Sequence, residues 1–258
     1  MNTRAKIFIP IVALALLGMF FYAYKNKPDI LSAPEQSKKE ELKLIKENDA
    51  ISIDVTYPTV DERFLGAKEA NLFIKENLDI RIAAFEKSAT ESLEAPIDLP
   101  KNIKSEARGS PSVEHETDRY VSIFFSAEWY LRGAAHPYHT IHTYIFDKKL
   151  QKLVTVQDLF MPYSKYFEFL SEYAYNDLIR QSEEGDLGFV YDKEMLRSGT
   201  EATLENFRHA LPTKDGLMIY FDEYQVAPYA AGPQQVAIPY EFLREYVNPE
   251  GVLGVYIK

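Results

Sequence analysis

Tyr120-Val121-Ser122-Ile123-Phe124-Phe125-Ser126-Ala127-Glu128-Trp129-Tyr130-Leu131 is the stretch on which the fold class turns. Val121, Ile123, Phe125, Ala127, Trp129 and Leu131 share one face of an extended chain, and Ser122, Phe124, Ser126, Glu128 and Tyr130 share the other. A period of two predicts a strand whose apolar face is buried. Downstream, residues 140–146 and 153–156 read as two further strands, and residues 147–152 as the hairpin turn between them. Strands that follow one another as hairpins argue for antiparallel sheets rather than alternating βαβ units.

The same reading extends to both sides. Residues 51–57 alternate apolar and polar positions and stop at Pro58, as a half-buried strand does. Over residues 67–88, Ala70, Phe73, Ile74, Leu78, Ile82 and Phe85 recur at spacings of three and four, which predicts an amphipathic helix. A short strand is expected over 103–108, followed by a turn at Gly109, Ser110, Pro111 and Ser112. Residues 163–181 predict a second helix, with Phe167, Leu170, Ala174 and Leu178 on its buried face. A loop is expected over 183–188, Phe207 is the anchor expected for the segment 201–209, strands are expected over 217–224 and 236–239, and residues 252–257 read as a closing strand. The expected class is α+β: antiparallel sheets with a few amphipathic helices packed on them, after an N-terminal transmembrane helix.

That last element rests on residues 7–24, which carry no charge. Arg4 and Lys6 precede the run, and Lys25 and Lys27 follow it. At about 1.5 Å per residue such a run spans about 27 Å, enough to cross a hydrocarbon core. The bulky Phe20, Phe21, Tyr22 and Tyr24 leave no small-residue cleavage signal, so an uncleaved signal anchor over 1–27 is expected. The bulk of the chain is then expected in the periplasm or extracellular space, on a single-pass anchor in the cytoplasmic membrane. Residues 28–49 read as a charged tether, with a helical turn or two over 40–48.

Composition excludes several functions. Among 258 residues, 29 Lys and Arg stand against 39 Asp and Glu, a formal net charge of -10, so no nucleic-acid partner is expected. The absence of cysteine excludes a disulfide scaffold, a thiol nucleophile and thiolate zinc sites. His136, His139 and His142 invite a zinc reading, but on an extended chain His136 and His142 lie about 20 Å apart, and His139 points the other way. A turn histidine and two strand-face histidines are expected instead. There is no nucleophile elbow, phosphate loop or dinucleotide fingerprint. Asp222 and Glu223 fall at a strand end, where neighbours point to opposite faces, and read as solvated surface. No catalytic residue, metal or cofactor is therefore expected.

Two motif groups carry a resemblance. The first is Leu131-Arg132-Gly133-Ala134-Ala135-His136-Pro137, with Phe146-Asp147 and Thr155-Val156-Gln157-Asp158-Leu159-Phe160 after it. The second is Gly216-Leu217-Met218-Ile219-Tyr220-Phe221, then Tyr224-Gln225-Val226-Ala227-Pro228-Tyr229-Ala230-Ala231-Gly232-Pro233 and Val236-Ala237-Ile238-Pro239-Tyr240. Together they resemble the RsiV-like family, domain of unknown function DUF3298, preceded by a domain of the PdaC type (DUF4163-like). The resemblance implies a PdaC-type α+β domain over 50–147 and an RsiV-like domain over 148–258. Ala134 departs from the glycine the family often has there.

The family includes an anti-sigma factor whose outer domain is a lysozyme receptor, and a module beside a peptidoglycan deacetylase. No cytoplasmic anti-sigma segment precedes residue 7, and no deacetylase domain follows, so the outer module alone is expected. The resemblance thus implies a non-enzymatic binding module of the bacterial envelope, recognising a lysozyme-like protein or peptidoglycan. A cell-wall hydrolase or deacetylase accessory, and an envelope assembly factor, are the alternatives. His136, Tyr138, Tyr224 and Tyr229, in two loop-like and aromatic segments, are the candidate ligand-binding residues.

Overall fold

Alternating burial builds the first sheet. In this computed structural model, residues 41–94, 100, 102–184 and 192–257 are described. Six strands lie in chain order: β1 (Lys43–Glu47), β2 (Ile51–Thr56), β3 (Ser105–Glu116), β4 (Tyr120–Tyr130), β5 (Tyr138–Asp147) and β6 (Lys152–Val154). All neighbouring pairs are antiparallel except β2 and β3. Those two are joined by helix α1 (Ala67–Glu94), and a parallel pair needs a long crossover of this kind. The sheet is therefore mixed, and contains the βαβ unit that the hairpin order of its later strands did not announce.

Helix α1 buries Ala70, Ile74, Leu78, Ile82 and Phe85 against Ile51, Ile53, Ala107, Phe125 and Trp129 and their neighbours. Phe73, expected on this face, is 56% exposed. The buried residues already close the stripe at spacings of four and three, and Phe73 lies one position outside it.

Strand β4 is covered on both sides. Val121, Ile123, Phe125, Ala127 and Trp129 face α1, while Tyr120 joins a second core and Phe124 packs against it. That second core holds α2 (Tyr166–Glu183), α3 (Lys193–Gly199), the three-stranded antiparallel sheet β7 (Ala210–Pro212), β8 (Gly216–Phe221) and β9 (Gln234–Pro239), and α4 (Tyr240–Leu243). Phe207 is fully buried in it. Helix α2 buries Tyr166, Leu170, Ala174 and Leu178, while Phe167 is only partly covered. The fold is α+β, and Glu41–Lys258 forms one unit.

Three expected elements differ. Gly109 to Ser112 is not a turn: β3 runs through it, paired to β4 from Glu106 to Glu116 with an irregularity between Val113 and His115. Strand β2 pairs β3 only as far as Gly109, so Pro111 lies where one side of β3 has no partner strand and a missing N–H is tolerated. A Cβ on Gly109 would stand 2.8 Å from the Phe125 ring, so this glycine serves packing. Residues 43–47 are an edge strand rather than part of a tether with helical turns, fixed by pairing to β2 and by Lys43–Asp54 at 2.8 Å. The chain closes on a 3-10 helix, Val252–Tyr256, and not a strand. Val252, Leu253 and Gly254 are buried in succession, which no two-residue period allows. Tyr256 stacks on Tyr240 at 3.8 Å and its hydroxyl lies 2.5 Å from that of Tyr120, tying the terminus to β4.

The expected anchor over 7–24, and the tether as far as residue 40, lie outside the described residues, as does most of the expected loop over 183–188. Among the described residues no helix is long and apolar enough to cross a membrane.

Candidate functional site

The turn after β8 is held from below by four side chains. The Asp222 carboxylate accepts from the Arg208 guanidinium and sits 3.4 Å from Nε2 of His209. Glu223 reaches β5, where its Oε2 accepts the backbone N–H of His139 at 3.1 Å and its Oε1 lies 2.5 Å from Nδ1 of His139. Gln225 donates from Nε2 to the carbonyls of Gly199 and Asn206, and accepts from the Asp222 N–H. Val226 is fully buried. With these positions drawn inward, Tyr224 stands out at 55% exposure, with φ of +64°. A positive φ is costly for a tyrosine, and the anchored turn imposes it. Gly232, at φ +69°, ends the following helical turn, whose carbonyls at Ala231 and Gly232 accept from Gln234 Nε2.

The loop between β4 and β5 meets this turn. It reverses at Gly133, with φ +90°, while Ala134 keeps a negative φ and needs no glycine. His136 lies flat on Tyr229, with centroids 3.8 Å apart and planes at 25°. The Pro137 carbonyl accepts from the Tyr229 hydroxyl at 2.9 Å and from the Nδ1–H of His136 at 2.8 Å, which sets the histidine tautomer. Tyr224 stacks beyond Tyr229 at 5.9 Å. Three of the four candidate residues thus form one aromatic shelf, His136–Tyr229–Tyr224. Tyr138 stands apart: it stacks on Trp129 at 6.4 Å and lines a small recess with Arg81 and Phe85 of α1. Strand alternation sends Tyr138 and His139 to opposite faces of β5.

Beside the shelf, His139 lies between two carboxylates, Glu223 at Nδ1 and Glu128 at Nε2, the latter 3.3 Å away. Neither glutamate was among the candidates. The signal for Glu128 was the hairpin register, which puts it directly across from His139. Asp222 and Glu223 are not solvated surface, since both are paired and the Glu223 side chain is 6% exposed. Their opposite directions do hold: one serves His209 and the other His139. Tyr229 has its phenol pushed above the usual range, by desolvation first and then by the charge of Glu223. Although burial acts to raise the Asp222 carboxyl, its bond to His209 and the charges of His209 and Arg208 hold it below the ordinary value.

His142 is half-buried. Its ring packs among Phe125, Tyr144 and His209, and its Nε2 has no hydrogen-bond partner. Burial, then the Arg81 charge, pushes its pKa down to about 4. Because the unfolded value is about 6.5, the unfolded chain takes up this proton first, so the stability from neutral His142 is complete above that value and is lost as pH falls toward 4. His142→Phe is expected to reduce the loss of unfolding free energy between pH 7.5 and 5 by about 2 kcal/mol relative to wild type. Urea titrations at the two pH values read this directly, and an unchanged loss would refute it.

A concavity of about 630 Å³ lies further along β5 and is lined by Ala70, Phe73, Tyr144, Val154 and Leu204, with Arg208 at its polar side. Arg208 is engaged with Glu205, His209 and Asp222. Among the described residues no cluster of three or more His, Asp or Glu side chains is arranged to hold a metal.

Residues 157–241 match the family model described as "Protein of unknown function (DUF3298)". Over 256 residues the chain is 23% identical to the peptidoglycan-N-acetylmuramic acid deacetylase PdaC of Bacillus subtilis, covering 95% of this chain and 50% of that protein. The chain therefore spans about half the length of the curated relative it matches. Two crystal structures share the fold. A DUF3298 family protein from Pseudomonas aeruginosa has a TM-score of 0.57 at 16% identity, covering 81% of this chain and 94% of its own. A family member from Bacteroides fragilis has 0.54 at 18%, covering 79% and 87%.

Proposed function

We propose that this chain is a non-catalytic binding module of the bacterial envelope, anchored through residues 7–24 and facing outward, and that it holds a peptidoglycan strand on the His136–Tyr229–Tyr224 shelf. The observation that carries the proposal is the shelf itself. Two loops some 90 residues apart in sequence are locked together into one aromatic cluster in which His136 and Tyr224 are exposed and Tyr229 is half-buried. Flat faces with polar rims suit a ligand that alternates apolar and hydroxyl-bearing surfaces. The relative named for action on peptidoglycan makes cell-wall glycan the first ligand to test.

Binding without catalysis is supported by the occupation of the nearby carboxylates. Glu223 and Asp222 are committed to His139, and to Arg208 and His209, where a general acid or base needs a free face toward substrate. A second reading, a basic lysozyme-like protein as ligand, is favoured by the net charge of -10, which would steer such a partner.

Full-length protein in detergent is expected to co-sediment saturably with purified sacculi. Tyr229→Ala is expected to weaken that binding about tenfold, equivalent to about 1.4 kcal/mol. Saturable binding to lysozyme with none to sacculi would replace the first ligand by the second. Wild-type affinity in the variant would remove the shelf from the site.

A further inference from the structure

We infer that the recess between α1, the end of β4 and the start of β5 is a second ligand site. It takes a short aliphatic carboxylate, whose charged end meets Arg81 and whose body lies on Trp129. The site does not rest on the shelf, because strand alternation turns Tyr138 away from the face of β5 that carries His139.

Three elements build the recess. Arg81, Phe85 and Ser88 recur at helical spacing on one side of α1. Trp129 and Leu131 come from the end of β4 and just beyond it, and Tyr138 and Thr140 share a face of β5. Phe85 meets the Trp129 ring at 5.4 Å, and Tyr138 stacks on that ring at 6.4 Å. The indole N–H donates to the Thr140 hydroxyl at 2.9 Å, so the ring is fixed in place. The recess holds about 190 Å³. At roughly 30 Å³ for each water-sized group, that is room for about six such groups, the size of a small branched acid.

The charge at its edge is unmatched. Arg81 is exposed, and among the described residues its guanidinium makes no hydrogen bond or ion pair. The sequence explains why. Asn77, Leu78, Ala84 and Phe85 occupy the positions three and four residues away, so no carboxylate meets Arg81 along the helix. The acids nearest to it in sequence are taken: Asp79 by Lys75 and Tyr57, and Glu86 by Lys46. The Arg81 charge still reaches the recess. It opposes the rise that desolvation causes in the Tyr138 phenol, and it adds to the burial that lowers His142. The Ser88 hydroxyl and the Tyr138 phenol likewise have no hydrogen-bond partner among the described residues. Three groups with unused donors beside an apolar floor are the makings of a small-molecule site. A guanidinium offers parallel N–H donors to the two oxygens of one carboxylate. Phosphate would bring a second charge, and no second cation is among the residues that line the recess.

The chain carries a single tryptophan, and it lines this recess, so indole emission reads the site directly. The test uses the full-length chain in a neutral detergent, at constant ionic strength and neutral pH, excited where tyrosine does not absorb. The probe is 3-methylbutanoate. It is expected to change Trp129 emission saturably, with a Kd of about 1 mM. Its amide has the same shape without the charge and is expected to bind at least about tenfold more weakly. Acetate, which lacks the apolar body, is expected to be weaker by about the same factor. Arg81→Gln is expected to lose at least about tenfold in affinity for the carboxylate. Because Arg81 is exposed and makes no bond, this variant is expected to unfold in urea as wild type does, so the loss reports the site and not the fold. No saturable response to 3-methylbutanoate up to about 50 mM overturns the inference. Equal affinity for acid and amide, or for acetate, overturns it too, as does wild-type affinity in Arg81→Gln. Inorganic phosphate binding more tightly than the carboxylate would overturn the ligand class.

Discussion

Arg119→Met is expected to destabilise the protein by about 3–5 kcal/mol, because it strands a buried carboxylate. Asp147, at 1% exposure, receives Nη2 of Arg119 at 2.7 Å, and the same nitrogen donates to the Glu250 carbonyl at 2.9 Å. The other oxygen of Asp147 accepts the backbone N–H groups of Lys149 and Leu150, which shapes the turn into β6. Asp147→Asn keeps the turn acceptor and removes the charge. The double variant, Arg119→Met with Asp147→Asn, is therefore expected to be more stable than Arg119→Met alone, since no unpaired charge remains inside. Urea unfolding of the four proteins measures the coupling. A loss below about 1 kcal/mol in Arg119→Met would show that water reaches Asp147 and that the pair behaves as a surface one.

This pair also shows where sequence reading stops. Residues 120–131 and 51–57, and both long helices, were legible because each exposes a periodic face to one core. Asp147 was legible only as a turn residue; its partner Arg119 also reaches the Glu250 carbonyl, 131 residues further along the chain. The misreadings share that cause. Gly109 to Ser112 has the composition of a turn, yet pairing to β4 overrides local preference where Pro111 needs no second partner strand. Residues 252–257 read as a strand, yet Tyr120 and Tyr240 hold Tyr256 in a helical turn.

The site divides in the same way. His136, Tyr224 and Tyr229 could be grouped because they lie in two aromatic, proline-containing loops, the kind of segment that stays at the surface and carries contacts. Tyr138 was grouped with them by nearness in sequence, and strand alternation took it to the other face of β5. His139 and Glu223 were each set aside, one as a strand-face histidine and the other as solvent-exposed. Each is explained only by the other. Their meeting depends on how the second sheet sits against the edge of β5, and no periodicity within either segment encodes that distance.

The hairpin that Asp147 shapes makes a further demand, at the start of α1. Gly66 has φ of +78°, and a Cβ there would stand 1.9 Å from the carbonyl oxygen of Gln151, itself at φ +58°. Gly66→Ala therefore meets two costs: backbone strain in the left-handed region, about 1–3 kcal/mol, and a clash with main chain that cannot rotate away. The expected loss is about 3–5 kcal/mol. Gly232 separates the two, because its φ is +69° and nothing lies within 4 Å of an added Cβ. Gly232→Ala should cost only the strain, about 1–3 kcal/mol. Equal losses in the two variants, by urea unfolding at neutral pH, would mean that the β5–β6 hairpin yields freely to α1 and that strain is the whole effect. A much larger loss at Gly66 would mean that α1 and the β5–β6 hairpin are in fixed register. Strand β5, which ends in that hairpin, would then present His139 to Glu223 from a rigid base rather than a yielding one.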